Sequence, residues 1–156
     1  MPTDLFAGIP VSDYAVALEW YERLFGSPPA FLPNEIEAVW ELAEHRFVFI
    51  EQRPERAGHA RHLAFVDDLD ALVAQIAERG LEPTERETYA NGVSKVAYRD
   101  PDGNEFGYGG TPEAETRRIG LEALDRLAEL TADLPPTDAV KIVRESREEL
   151  EKRAAL

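Results

Sequence analysis

Two stretches of the chain, VSDYAVALEWYERLFG at 11–26 and VDDLDALVAQIAERG at 66–80, follow one programme: an apolar strand exit, an acidic residue, an amphipathic run and a glycine. In the first, Ser12 or Asp13 caps a helix whose stripe is Val16, Ala17, Trp20, Tyr21 and Leu24, and Gly26 ends it. In the second, Asp67 or Asp68 caps, the stripe is Leu69, Leu72, Val73 and Ile76, and Gly80 stops the run. Used twice at a spacing of roughly 50 residues, this pattern describes an internal structural repeat and not a solenoid.

Strands surround each helix. Leu5 to Val11 alternates, with Leu5, Ala7, Ile9 and Val11 on one side and Phe6, Gly8 and Pro10 on the other. Pro28, Pro29 and Pro33 form a loop after the first helix. Glu35 to Leu42 and Arg46 to Glu51 read as strands joined near Ala43 to His45, the second carrying Phe47, Phe49 and Glu51 on one face. After a loop from Gln52 to Ala60, His62 to Val66 is a strand and Leu81 to Thr88 a weaker one. The segment YRDPDGNEFGYGG, 98–110, closes the second half as a hairpin. Pro101 presets φ, Gly103 accepts a positive φ, and Asp100 closes the turn through its carboxylate. Alternation puts Lys95, Ala97 and Arg99 on one face of the entering strand, and Glu105, Gly107 and Gly109 together on the leaving strand. Each half is thus strand, helix, then strands. The fold class is α+β, two βαβββ modules over about 4–52 and 61–110 in a domain spanning 1–110, followed by a helical hairpin over 111–156.

Composition bounds the function. With 156 residues, 44% of them hydrophobic, the chain builds one globular domain with an appendage. Thirty-one acidic against 17 basic residues give −14, which repels nucleic acid and anionic membrane and attracts a cationic ligand. No cysteine is present, so disulfide and thiol chemistry are excluded. The start, MPTDLFAG, lacks the basic and apolar runs of a signal peptide or membrane span, and a cytoplasmic protein is expected.

The order of elements, the IPVSD exit from the first strand, Trp20-Tyr21, the Leu24 to Gly26 helix end, the His62 strand start and DPDGNEF together resemble the glyoxalase, bleomycin resistance and extradiol dioxygenase superfamily, the vicinal oxygen chelate proteins. The resemblance covers about 4–110. It implies that the modules curl into half-barrels as a curved mixed sheet, cradle a small molecule in a concave groove and form a homodimer. Enzymatic relatives hold a divalent metal at four positions, which fall here on Phe6, Glu51, His62 and Gly107. Phenylalanine offers no lone pair and glycine no side chain, whereas such a metal needs about three protein ligands. No cofactor is therefore expected, and a metal, if held, would use Glu51 and His62. A shifted set drawing on Glu105, His59 or His45 is the variant of that idea.

The leading expectation is metal-independent binding of a small organic molecule, similar to the bleomycin-binding branch. Phe6, Trp40, Phe47, Phe49, Glu51, His62, Arg99 and Gly107 are the candidate ligand-binding residues, and Tyr98 and Tyr108 are further polar handles. The alternative is a metal-dependent lyase, isomerase or dioxygenase in which Glu51 is the catalytic base and His62 holds a metal or an oxyanion. Blander readings stand beside both. His62 can be a hydrogen-bonded structural histidine, Glu51 a solvated strand end, the aromatics core, and Gly107 a site of close packing. In the tail, Leu121, Leu124, Leu127, Leu130 and Leu134 form a leucine face before Pro135-Pro136, and eight basic against eleven acidic residues leave −3. That face is expected to pack on the sheet or a partner chain, with tail-driven assembly of a scaffold as a third reading.

Overall fold

The computed structural model describes residues 1, 3–110 and 121–129. The chain divides into two compact units, Met1–Thr116 and Arg117–Leu156. In the first, the elements run β1 (Leu5–Val11), α1 (Tyr14–Phe25), β2 (Phe31–Asn34), β3 (Glu37–Ala43), β4 (Arg46–Gln52), a single 3-10 turn at Pro54–Arg56, β5 (Arg61–Val66), α2 (Leu69–Glu78), β6 (Glu85–Thr88), β7 (Ser94–Arg99) and β8 (Glu105–Gly110). They form two four-stranded mixed sheets, ordered β1-β4-β3-β2 and β5-β8-β7-β6. The first strand of each module pairs parallel with the last, and the remaining pairs are antiparallel. No barrel closes among the described residues.

The caps decide where each helix begins. Asp13 and Asp68 take extended φ/ψ and accept from the backbone N–H groups of Val16 and Ala71. Gly26 ends α1 in the left-handed region at φ 75°, donating its N–H to Glu22. Ala17, Trp20, Tyr21 and Leu24 bury one face of α1 against Ile9, Val11, Ala38, Trp40, Val48 and Ile50. Leu69 and Ile76 of α2 join the same core, together with Val96, Tyr98, Phe106 and Tyr108. Each sheet therefore has a helix face and an open face.

Two elements differ from the expectation. Residues around Pro33, read as loop, form β2; it is the edge strand of its sheet, where a residue lacking an N–H is tolerated. Leu81 to Pro83 is not strand. Leu81 is instead buried in the core, and pairing begins where Thr84 donates to Ala97. Of the tail, residues 121–129 are helical, with Leu121, Leu124 and Leu127 exposed. The proline break and second tail helix lie outside the described residues. No described helix is long and apolar enough to cross a membrane.

The DPDGN turn between β7 and β8 ties the modules together. Asp100 Oδ1 accepts from the N–H groups of Asp102 and Asn104, and its Oδ2 accepts from Tyr21 Oη on α1 and from Asn104 Nδ2, each at 2.8 Å. Asn104, 1% exposed, donates to the Pro10 carbonyl at the end of β1 and accepts from the N–H groups of Gly58 and Ala60. The Asp102 carboxylate accepts from Ser12 N and Oγ. Burial, reinforced by the Asp100 charge, pushes the Tyr21 hydroxyl far above its ordinary pKa, so it remains a proton donor to that carboxylate. At the C-terminal end of α1, Arg79 donates to the terminal carbonyls of Arg23 and Leu24, a cation on a helix C-terminus.

Replacing Asn104 by alanine leaves the half-buried Pro10 carbonyl of the first module and the Gly58 and Ala60 N–H groups and buried Asp100 carboxylate of the second without this partner, and urea unfolding of Asn104→Ala is expected to show a loss of about 2–4 kcal/mol. A loss below about 1 kcal/mol would mean that water replaces the side chain.

Candidate functional site

Strand parity and register place every candidate residue. On the open face of the first sheet, Phe6 pairs with Phe47, Gly8 with Phe49 and Pro10 with Glu51. The Phe6 and Phe47 rings stack at 4.6 Å with 10° between their planes. Phe49 lies over Gly8: a Cβ there would sit 2.7 Å from the tip of the ring, so any larger residue displaces the ring from this position. Trp40 is not on this face. It pairs with Val48, buried, packs on Phe25 and Tyr21 and donates to the Ser27 carbonyl. The expected aromatic lining thus loses Trp40 to the core, because its parity matches Val48 and Ile50 and not the phenylalanines.

In the second sheet the open face carries Arg61, Leu63 and Phe65 of β5, Lys95, Ala97 and Arg99 of β7, and Glu105, Gly107 and Gly109 of β8. His62 pairs with Phe106 on the helix face. Its Nε2 lies 3.0 Å from the Gly8 carbonyl, which can only accept, so Nε2 carries the proton. Counting back from the helix caps explains the placement. Phe6 stands seven residues before Asp13, and seven before Asp68 is Arg61, not His62.

The four positions that the resemblance assigns to a metal therefore do not converge. Phe6 and Gly107 bring no donor, and His62 faces away from Glu51. Glu51 is itself paired with Arg53, whose Nη2 lies 2.7 Å from Oε1. The alternative histidines do not assemble either: His45 contacts Asp4 and Glu44 at the β3–β4 turn, and no group of three or more His, Asp or Glu able to hold a metal occurs among the described residues. Gly107 is not open space. A Cβ there would meet Leu63 at 3.1 Å and the Lys95 stem at 3.4 Å, so the missing side chain makes room for its neighbours.

Where β1 and β5 part at the Leu5 and Val66 ends, a slot of about 640 Å³ opens between the modules. Phe47, Leu63 and Phe65 reach it from the open faces, and Phe25, Leu72 and Tyr108 from the helix side. Its walls are mostly apolar, with His62 and Arg46 among the few polar groups. Burial raises the Tyr108 hydroxyl well above its usual pKa, so it too stays protonated. Among the candidate residues, Phe47 and His62 line this slot. Phe6, Phe49, Glu51, Arg99 and Gly107 sit on the open faces beyond it. Tyr108, expected as a polar handle, lines the slot as well, whereas Leu63 and Phe65 are lining residues that could be found only once parity was anchored on the caps.

Residues 5–108 match the family model described as the Glyoxalase/Bleomycin resistance protein/Dioxygenase superfamily. Among solved structures, a glyoxalase/bleomycin resistance protein from Catenulispora acidiphila DSM 44928 is 52% identical, with a TM-score of 0.69 over 70% of this chain and 99% of that one. A bleomycin-binding protein solved with bleomycin is 18% identical at TM-score 0.57, covering 69% and 98%. A lactoylglutathione lyase from Agrobacterium tumefaciens is 16% identical at 0.55, covering 70% and 94%. No curated protein matches the sequence.

The bond from Arg53, opposed by partial burial, holds the Glu51 carboxyl below the ordinary carboxylate range. A depressed folded-state pKa contributes stability above the unfolded value, and that contribution disappears as pH falls through the folded one. In an NMR titration the Glu51 carboxyl is expected to titrate below the usual glutamate range, and Arg53→Ala to return it there. An unchanged midpoint in the variant would show that Arg53 is not the cause.

Proposed function

We propose that this chain, which belongs to the Glyoxalase/Bleomycin resistance protein/Dioxygenase superfamily, binds a small, largely apolar organic molecule in the slot between its modules without a metal. The slot carries the reading. At about 640 Å³, with apolar walls and few polar groups, it has the size and character of a pocket for a drug-sized ligand. Phe47, Phe65 and Tyr108 offer ring faces and edges for stacking. With its Nε2 proton committed to Gly8, His62 keeps Nδ1 as an acceptor for one ligand donor, which gives the apolar slot a point of orientation.

The competing use of the site as an enzyme needs Glu51 as a base. A carboxylate paired with Arg53 and held below its ordinary pKa is a poor proton acceptor, and it lies outside the slot. A bleomycin-binding relative makes bleomycin and smaller aromatic compounds the first probes.

In a fluorescence titration of chelator-treated protein, saturable binding of at least one such probe is expected, with an affinity unchanged by added Zn or Mn. Ala64 of β5, the cross-strand partner of Tyr108, also lines the slot, and Ala64→Phe, which fills it, is expected to weaken binding at least about tenfold while the melting temperature stays within a few degrees. Binding that appears only with metal, or that survives Ala64→Phe, would contradict the proposal.

A further inference from the structure

Tyr21 and Trp40, both buried, commit their polar atoms inside the protein: the Tyr21 hydroxyl donates to Asp100 and Trp40 Nε1 to the Ser27 carbonyl. Tyr98 and Tyr108 of the second sheet do not. The Tyr98 hydroxyl is sealed in the core without a partner. Tyr108 is only 6% exposed, and nothing among the described residues bonds to its hydroxyl. Its pKa rises through burial first and the adjacent Tyr98 second, whereas that of Tyr21 rises partly through its bond to Asp100. Unlike Tyr98, Tyr108 is not sealed, because it forms part of the slot wall.

The internal repeat supplies a control. Aligned on the caps, His62 and Ala64 of β5 match Ala7 and Ile9 of β1, and their cross-strand partners Phe106 and Tyr108 match Val48 and Ile50. The first module fills this layer with aliphatic side chains alone and closes it, with Ile9 at 1% and Ile50 at 0% exposed. Packing the layer therefore requires neither an imidazole nor a hydroxyl. Core tyrosines are common, and the plain reading is a ring that fills space. That accounts for the ring but not for the unpaired hydroxyl, since phenylalanine fills the same space without a buried donor. Water does not answer the need either. The slot wall on this side is Ala64, Val66, Leu72 and Phe106, and a held water takes about two to four polar partners.

We infer that Tyr108 Oη is a specificity-determining donor in the slot, and that the ligand is a neutral aromatic molecule with a carbonyl oxygen to accept from it and a hydroxyl to donate to His62 Nδ1. The inference rests on the slot reading and names the chemistry that the slot selects. One wall offers both groups, on positions two residues apart along paired strands, a rise of roughly 6–7 Å. A fused aromatic skeleton spans that gap, and a single functional group does not. A neutral carbonyl suits the hydroxyl better than a carboxylate, because apolar walls penalise a charge far more than a paired dipole.

The test uses the full chain and three fused-ring probes: a hydroxyfluorenone, the hydroxyfluorene that lacks its carbonyl, and fluorenone, which lacks the hydroxyl. Binding is followed by NMR shifts of the Ala64 and Val66 amides. The parent is expected to bind the hydroxyfluorenone about fivefold or more tighter than either relative. Tyr108→Phe is expected to abolish its preference over hydroxyfluorene and keep its preference over fluorenone, with a melting temperature equal to the parent's or higher. A hydroxyl that merely held the fold would lower that temperature on removal. If the parent binds none of the probes, or Ala64→Phe leaves their binding intact, the slot reading fails and this inference with it. If Ala64→Phe removes binding, but the parent does not distinguish hydroxyfluorenone from hydroxyfluorene or Tyr108→Phe retains the distinction, the Tyr108 assignment alone is overturned.

Discussion

The structure depends on the Asp100 carboxylate. It accepts from its own turn, from the Asn104 amide and from the Tyr21 hydroxyl of the other module, and so joins the β7–β8 hairpin to α1 in one buried cluster. Asn104 extends the cluster to the end of β1 and the start of β5. Such a network is costly when half satisfied and rigid when complete. Held at this end and by His62 on Gly8, β1 and β5 part toward Leu5 and Val66, and the slot is the gap that results.

The two modules share a plan but fill it in opposite ways. Aligned on their caps, Gly8 matches Leu63, and their cross-strand partners are Phe49 and Gly107. In the first module the large residue sits on the last strand and covers a glycine on the first; in the second the roles reverse. Of the positions that the resemblance assigns to a metal, Phe6 stacks on Phe47, Gly107 makes room for Leu63 and the Lys95 stem, Glu51 is paired with Arg53 and His62 is bonded to the Gly8 carbonyl. A cation belonging to the chain stands close to where the resemblance places a metal ligand.

Much of this is legible in the sequence alone. The repeat, both caps, the hairpin and the parity of Lys95, Arg99, Glu105 and Gly107 follow from local chemistry, because caps and turns are set within a few residues. What failed were matters of register between distant strands. His62 invites attention as a histidine at a strand start, yet the distance to the Asp68 cap puts Arg61 in the equivalent place. Trp40 was misplaced because the β3–β4 pairing is irregular between Glu41 and Ala43, and a one-residue shift exchanges faces. Strand β2 was hidden by Pro33, whose edge position only the sheet order reveals.

The account rests on the claim that the metal-ligand positions have been given over to packing and fixed charge. Equilibrium dialysis of the full chain against Zn, Mn and Ni, with bound metal counted after removal of free ion, tests this most directly. The prediction is well below one equivalent for every metal, unchanged by Glu51→Ala. A full equivalent retained by the parent and lost in Glu51→Ala would contradict it.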